Sequence, residues 1–295
     1  AQGAARAWSG PVEVTLGELE QGARPAGVSF FFRDKKEGKL YAFTEKPLCR
    51  PGGHYAWRFA GGEARWTAAW GELLCESLVR LGEGRGELRE AALTWRGEGT
   101  LEGELVFYLE PVLAPLRDYR AHPAFSKLMV ESRELGEGVQ FRRRARGGEG
   151  ERHLAVLWSE SGARFETARE TALGRGGLRA LEQRLEADAR GTTGAVLDPC
   201  LLLRVPVELK RGARWRLRLA LGLSERARGA VLEAQRLLCL PERPPDGRLD
   251  GLLQRYNLTS EFAYQAFHLL EGLVFPDPAA SGSGPVASQP GLWAF

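Results

Sequence analysis

The sequence predicts a mainly β protein, a large antiparallel sandwich followed by C-terminal helices. Three observations carry this. From about residue 11 to 223 apolar and polar residues alternate with a period of two, the signature of half-buried strands. Turn segments such as "KKEGK", "RPGG", "GEGRG" and "RGGEGE" interrupt that alternation at short intervals. After residue 223 the period lengthens to 3.6, that of an amphipathic helix.

The strands follow in order. "VSFFFRD" opens the series, then "HYAWRFA", "EARWTAAW" and "LLCESLVRL", then "LREAALTWR" and "LEGELVFYLEPV". "VQFRRRAR", "RHLAVLWSE" and "CLLLRVPVELK" come next, and "ARWRLRLAL" is the clearest. In it Trp215, Leu217, Leu219 and Leu221 point one way, and Arg214, Arg216 and Arg218 the other. One face belongs in a core and the other in water. Roughly a dozen strands at this spacing argue for a large sandwich and against a parallel βαβ sheet. The segment from about 171 to 194, "TALGRGGLRALEQRLEADARGTTG", breaks the pattern with a short helical stretch between two turns. A long excursion from a β domain is commonly functional or partner-facing.

Beyond 223, "SERARGAVLEAQRLL" places Ala227, Val231, Ala234 and Leu238 on one face, with Ser224 as N-cap and Pro241 as terminator. "GRLDGLLQRYN" and "TSEFAYQAFHLLEGLVF" follow. The latter is apolar nearly all round, so it needs cover on more than one side. "PDPAASGSGPVASQP" reads as a flexible crossing. The expected organisation is a sandwich over 1–223, a helical linker over 224–278 and a crossing segment over 279–295.

The 295 residues carry 41 Lys+Arg against 38 Asp+Glu, a net charge of +3. No global field marks a nucleic-acid or membrane binder, and no run approaches the roughly 18 apolar residues of a membrane span. Cys49, Cys75, Cys200 and Cys239 are scattered without CxxC and read as reduced, buried thiols of a cytoplasmic protein. His54, His122, His153 and His268 show no metal-ligand spacing, so no metal is expected. No dinucleotide or P-loop fingerprint is present.

"YRAHPAFSKLMVES" (119–132), "FETARETALGRGG" (165–177) and "GTTGAVLDPCLLLRVPVELKRG" (191–212) together resemble the N-terminal β-sandwich domain of glycoside hydrolase family 94, formerly glycosyltransferase family 36. "FFRDKKEGKLYAFTEKPL" (31–48) is similar to its early strand pair. "FPDP" (275–278) and "GLWAF" (291–295) look like its crossing into the catalytic domain. The wording is nearest to the cyclic β-1,2-glucan synthase and 1,2-β-oligoglucan phosphorylase branch. The resemblance implies a galactose-mutarotase-like super-sandwich with linker helices, followed by an (α/α)6 barrel that carries the general acid and the phosphate pocket. Inorganic phosphate would be the co-substrate of the parent's inverting phosphorolysis to a sugar 1-phosphate, and no other cofactor is implied. Leu292, Trp293 and Phe295 would then be the first residues of that barrel. The expected partners are the barrel, a second copy and a β-glucan oligosaccharide. Several family members are dimers in which a sandwich loop reaches the rim of the neighbour's sugar site. The loop after "FETARE" is the candidate here, with Arg169 and Arg175 as substrate-binding residues, since an Arg fork suits sugar hydroxyls. The alternative for that loop is packing on the barrel alone.

Other candidates favour structural readings. His122, near Asp118, sits in a stiff His-Pro corner, after which Phe125, Leu128 and Val130 begin the next strand. Asp198 precedes Pro199 and reads as a turn, and Glu208 alternates outward, so the two make a poor catalytic pair. "FRRRARGG" (141–148) could bind phosphate but reads better as an outward strand face. Trp57, Trp66, Trp95, Trp158 and Trp215 lie in strand patterns and are expected in the core, with Trp8 and Trp70 freer. The competing functions are a stand-alone carbohydrate-binding module and a purely structural oligomerisation domain.

Overall fold

The computed structural model describes residues 8–9, 12–16, 28–60, 63–82, 84–145 and 150–241. Their strands, in chain order, are β1 (Trp8–Ser9), β2 (Val12–Thr15), β3 (Ser29–Asp34), β4 (Leu40–Ala42), β5 (His54–Ala60), β6 (Glu63–Trp70), β7 (Leu73–Leu81) and β8 (Gly86–Trp95). They continue as β9 (Thr100–Leu109), β10 (Pro111–Pro115), β11 (Val130–Glu134), β12 (Gly138–Arg143), β13 (Arg152–Trp158), β14 (Arg164–Ala168), β15 (Pro199–Lys210) and β16 (Arg214–Ser224). The helices are α1 (Leu116–Ala121), α2 (Pro123–Lys127), α3 (Arg169–Leu173), α4 (Leu181–Arg184) and α5 (Ala227–Leu238), with a 3-10 turn at Gly177–Ala180. The linker helices and crossing segment expected after Pro241 lie outside the described residues, as does Trp293.

The described residues form three antiparallel sheets. The largest has eight strands in the order β11-β12-β13-β16-β8-β7-β6-β5, the second five in the order β14-β15-β9-β3-β4, and the third is β1-β2-β10. The predicted antiparallel sandwich is therefore what the chain builds. Phe30, Phe32, Leu105, Phe107 and Leu203 occupy one face of the five-stranded sheet, and Leu93, Val156, Leu217 and Leu219 the inner face of the large one. All belong to one buried core. Phe30 packs against Phe107 in a tilted arrangement at 5.0 Å between ring centres, and Trp158 of the large sheet meets Phe165 of the other at 6.2 Å. Burying each such ring contributes about 1.5–3 kcal/mol.

The hairpin β3–β4 explains its own turn. Asp34 Oδ1 accepts hydrogen bonds from the backbone N–H of Lys36 and Glu37 at 2.6 and 3.0 Å, which folds "DKKEGK" back on itself.

In β16 the alternation holds, and then something is added. Leu217, Leu219 and Leu221 are buried on the inner face. The outer face was expected to meet water, but Ala220 and Gly222 are covered by α5 through Ala230, Ala234 and Leu237. Ser224 does not cap this helix; its Oγ accepts from the N–H of Arg226, which is the N-cap. Beyond α5 the chain is pinned to the outer face: Arg80 donates to Pro241 O at 3.1 Å and Arg218 to Leu240 O at 2.7 Å.

Several expectations are corrected. "LEGELVFYLEPV" is two strands in two sheets, broken at Glu110. Trp57 is half exposed on the edge strand β5, whereas Trp70 is buried and donates Nε1–H to Ala42 O at 2.9 Å. Cys75 and Cys200 are buried, with thiol pKa values pushed up chiefly by burial, but Cys49 and Cys239 are exposed. "HPAFSK" is the short helix α2, not the start of a strand, so Phe125 and Leu128 stand exposed while Val130 alone enters β11. In the basic run, Arg142 faces outward to Glu131 and Glu151, but Arg143 turns inward and is buried.

Candidate functional site

The three longest distinctive segments of the sequence meet in space. Ser132 of "VES" forms reciprocal backbone hydrogen bonds with Gly194 of "GTTG" at 2.9 and 2.8 Å. The hydroxyls of Ser132 and Thr167 lie 2.7 Å apart, and Thr167 donates onward to Thr192 O at 2.6 Å. Glu166, almost wholly buried, accepts from the N–H groups of Thr167 and Ala168 and from the Thr192 hydroxyl. A buried carboxylate is tolerable only with its lone pairs occupied in this way. Glu166 locks the loop after β14 to the strand before it.

Beside this lock lies an ion-pair cluster. Glu110, at the break between β9 and β10, accepts from Tyr108 Oη at 2.6 Å and from Arg169 Nε at 3.1 Å, with Lys127 Nζ at 3.7 Å. Lys127 reaches Asp198 Oδ1 at 2.6 Å; Arg169 Nη1 lies 3.7 Å from Asp198 Oδ2, and the Arg169 N–H donates to Asp198 O at 2.9 Å. Burial works against the charge on Arg169, but Glu110 and Asp198 more than offset it and hold its pKa above the usual value. Burial, then Glu110, pushes the Tyr108 and Tyr119 hydroxyls well up, so both stay protonated.

The cluster fixes α2. Five residues cannot hold a helix unaided. Lys127 ties it to Asp198, Arg143 donates to Ser126 O and Oγ at 2.9 and 3.0 Å, and Arg144 donates to Leu128 O at 2.7 Å. Phe125 and Leu128 are thereby presented on a rigid support, beside the exposed Leu197 next to Asp198.

The excursion between β14 and β15 is strapped down at its far end. Glu182 accepts from Leu40 N–H at 2.7 Å and pairs with Arg50 at 2.5 Å. Burial would raise the Glu182 pKa, but these two partners hold it below the ordinary value. Arg33 and Arg204 donate to Leu185 O at 3.0 and 2.8 Å. Glu104 sits beneath, 2.6 Å from both Arg204 and Arg164. At its near end Arg169 is inside the ion-pair cluster, while Arg175 is exposed between Gly174 and Gly176. Gly174 adopts φ +58°, and a Cβ there would collide with the Arg184 guanidinium.

The remaining candidates separate. His122 is exposed at the α1–α2 corner, where its carbonyl accepts from Ser126 N–H, and Asp118 pairs with Arg117. Asp198 is an ion-pair partner as well as a turn residue, and Glu208 lies outward opposite Glu102. Sequence reasoning missed Glu110, Lys127 and Glu166. The signal for Glu110 is the strand-breaking "EP"; Lys127 and Glu166 lie inside the distinctive segments 119–132 and 165–177. Among the described residues no group of three or more His, Cys, Asp or Glu could hold a metal ion.

The family model described as "Glycosyl hydrolase 94, supersandwich domain" matches residues 23–237. The chain belongs to that family. As a glycosyl hydrolase 94 supersandwich domain, it is 30% identical over 199 residues to the cyclic beta-(1,2)-glucan synthase NdvB of Rhizobium meliloti (strain 1021). The match covers 64% of this chain and 7% of that protein, so the domain spans a small part of its curated relative. Among solved structures, a bacterial glucoamylase complexed with acarbose is 9% identical with a TM-score of 0.47, covering 84% of this chain and 32% of that one. A putative kojibiose phosphorylase from human microbiome is 6% identical with a TM-score of 0.40, covering 90% and 32%. A GalM/aldose epimerase homologue from C. elegans is 8% identical with a TM-score of 0.34, covering 72% and 87%. No helix among the described residues of the supersandwich domain is long and apolar enough to cross a membrane.

Proposed function

We propose that this supersandwich domain is a non-catalytic scaffold of a larger enzyme that acts on β-glucans, docking its catalytic barrel and lining a subunit interface. One observation supports this above others. Phe125, Leu128 and Leu197 stand exposed at 52%, 40% and 76%, yet sit on backbone held by Lys127–Asp198, Arg143 and Arg144. Large apolar side chains on a rigid base suit a protein interface. The parent reaction is inverting phosphorolysis with inorganic phosphate, or the related synthase chemistry, in the cytoplasm or at a membrane. In this reading Arg169 holds the rim loop through Glu110 and Asp198, and Arg175, exposed at its tip, meets the sugar bound by a neighbouring barrel.

The test supplies the barrel in trans. The domain should associate with it and restore activity, and Phe125→Ala with Leu197→Ser should weaken association without unfolding the domain. An isolated barrel with full activity and no affinity for this chain would sink the scaffold reading. Arg175→Ala should raise the KM for oligosaccharide in the reconstituted enzyme and leave association unchanged.

A stand-alone carbohydrate-binding module is favoured by one feature, the half-exposed Trp57 on β5. It requires heat of binding when millimolar β-1,2- or β-1,4-linked oligosaccharide is titrated into the domain alone. A flat titration removes it.

A further inference from the structure

The outward face of the large sheet beside α5 carries a recess of about 170 Å³, room for about six waters at their liquid volume. Register builds it. Arg65 of β6 stands opposite Leu78 of β7, Leu78 opposite Glu90 of β8, and Glu90 opposite Arg218 of β16. Among the described residues Leu78 is the one apolar residue of the lining, set among Arg65, Arg80, Arg214, Arg216, Glu63 and Glu90. Four guanidiniums and two carboxylates thus line the recess.

The carboxylates are already engaged. Glu63 lies 3.7 Å from Arg80, and Glu90 lies 3.3 Å from Arg218 and 3.9 Å from Arg216. Arg214 pairs outside the recess with Glu76 at 2.9 Å and is still half exposed. Arg65 is exposed, and among the described residues no carboxylate lies within ion-pair distance of it. Its cross-strand neighbour on the same face is another arginine, Arg58.

We propose that this recess binds a dianionic phosphate group, free or as a monoester, with Arg65 and Arg214 as its principal ligands. Planar guanidinium forks match the paired oxygens of such a group. Arg65, exposed, and Arg214, half exposed, are the two guanidiniums best placed to turn toward a dianion. Among the described residues the lining holds no aromatic platform, which disfavours a neutral sugar. Glu63, Glu76 and Glu90 hold the arginine stems apart and so keep the recess open.

Isothermal titration calorimetry on the full 295-residue chain tests this, with inorganic phosphate, glucose 6-phosphate and glucose as separate ligands at fixed ionic strength. Saturable one-to-one binding of phosphate, of the ester or of both is expected, with none for glucose; the comparison of the two arms identifies which form is held. Arg65→Gln with Arg214→Gln keeps the stems and should weaken binding about tenfold or more, the loss of at least one charge-assisted contact. Arg228→Gln, exposed on α5, should change nothing. Binding that survives the double substitution in a chain with an unaltered circular-dichroism spectrum overturns the proposal. So does heat that sodium chloride reproduces at the same ionic strength.

Discussion

Lys127 Nζ lies 2.6 Å from Asp198 Oδ1, joining the α2 corner to the turn that begins β15. These residues are 71 positions apart, and both also reach the Glu110–Arg169 pair. The members of this cluster differ in burial, which separates their energetics. Asp198 is 31% exposed at its side chain and Glu110 only 7%. Asp198→Ala should cost about 1 kcal/mol, as expected of a solvent-screened pair. Glu110→Ala should cost about 3–5 kcal/mol, because it strands the buried Tyr108 hydroxyl and the Arg169 guanidinium. Urea unfolding of the two variants measures this. Equal costs would mean that the cluster is not organised around Glu110.

Glu166 and Glu208 make a second contrast. Glu166 is buried with three donors on it, so Glu166→Ala should lose about 3 kcal/mol and free the 191–194 turn to faster amide exchange. Glu208 is exposed on β15 with Glu102 directly across. Glu208→Ala removes a like-charge neighbour and should fall within about 0.5 kcal/mol of the parent, on either side. A large loss from Glu208→Ala would point to a partner that the fold does not explain.

These contrasts also mark what the sequence made legible. Period-two alternation identified the strands and the inner face of β16, because each face of a strand is set by local geometry. It did not say how far the opposing sheet extends. Trp57 and Trp66 are register partners, yet Trp57 is half exposed because β5 is an edge strand. The excursion after β14 was visible from its broken period. Its clasp, Glu182 with Arg50 and Leu40, spans more than a hundred residues, and no local pattern encodes such a pair. The motifs around Ser132, Glu166 and Thr192 were recognisable as segments, but their meeting point follows only from the sheet order.

His153 gives a pH-dependent prediction. It is buried on β13, and burial holds its pKa below 6.5; Arg142 and Arg133 act in the same direction, while Glu151 at 3.5 Å opposes them. The folded chain therefore favours neutral imidazole. An unfolded chain takes up its proton near 6.5, so stability is full above that pH and is lost as pH falls toward the lower folded value. His153→Gln removes this dependence. The difference in unfolding free energy between parent and variant should be constant above pH 7 and shift against the parent between pH 6.5 and 5. A difference that stays flat across that range would show that burial does not depress this histidine.

Gly222 sets how closely α5 approaches β16. A Cβ at this position would collide with Ala230 O and lie 2.5 Å from Ala234 N, both backbone atoms that cannot swing aside. Glycine is therefore required here for space. Gly222→Ala should push α5 off the sheet and cost about 1–3 kcal/mol through overpacking. Gly150→Ala is the control, since nothing lies within 4 Å of a Cβ there. The two outcomes separate by location as well as size. Hydrogen exchange should rise along α5 and at Ala155 and Leu157 beneath it in the Gly222 variant, while the core strands β9 and β15 keep their protection. Uniform loss of protection across both sheets would mean that α5 is not a separable layer but part of the sandwich's cooperative unit.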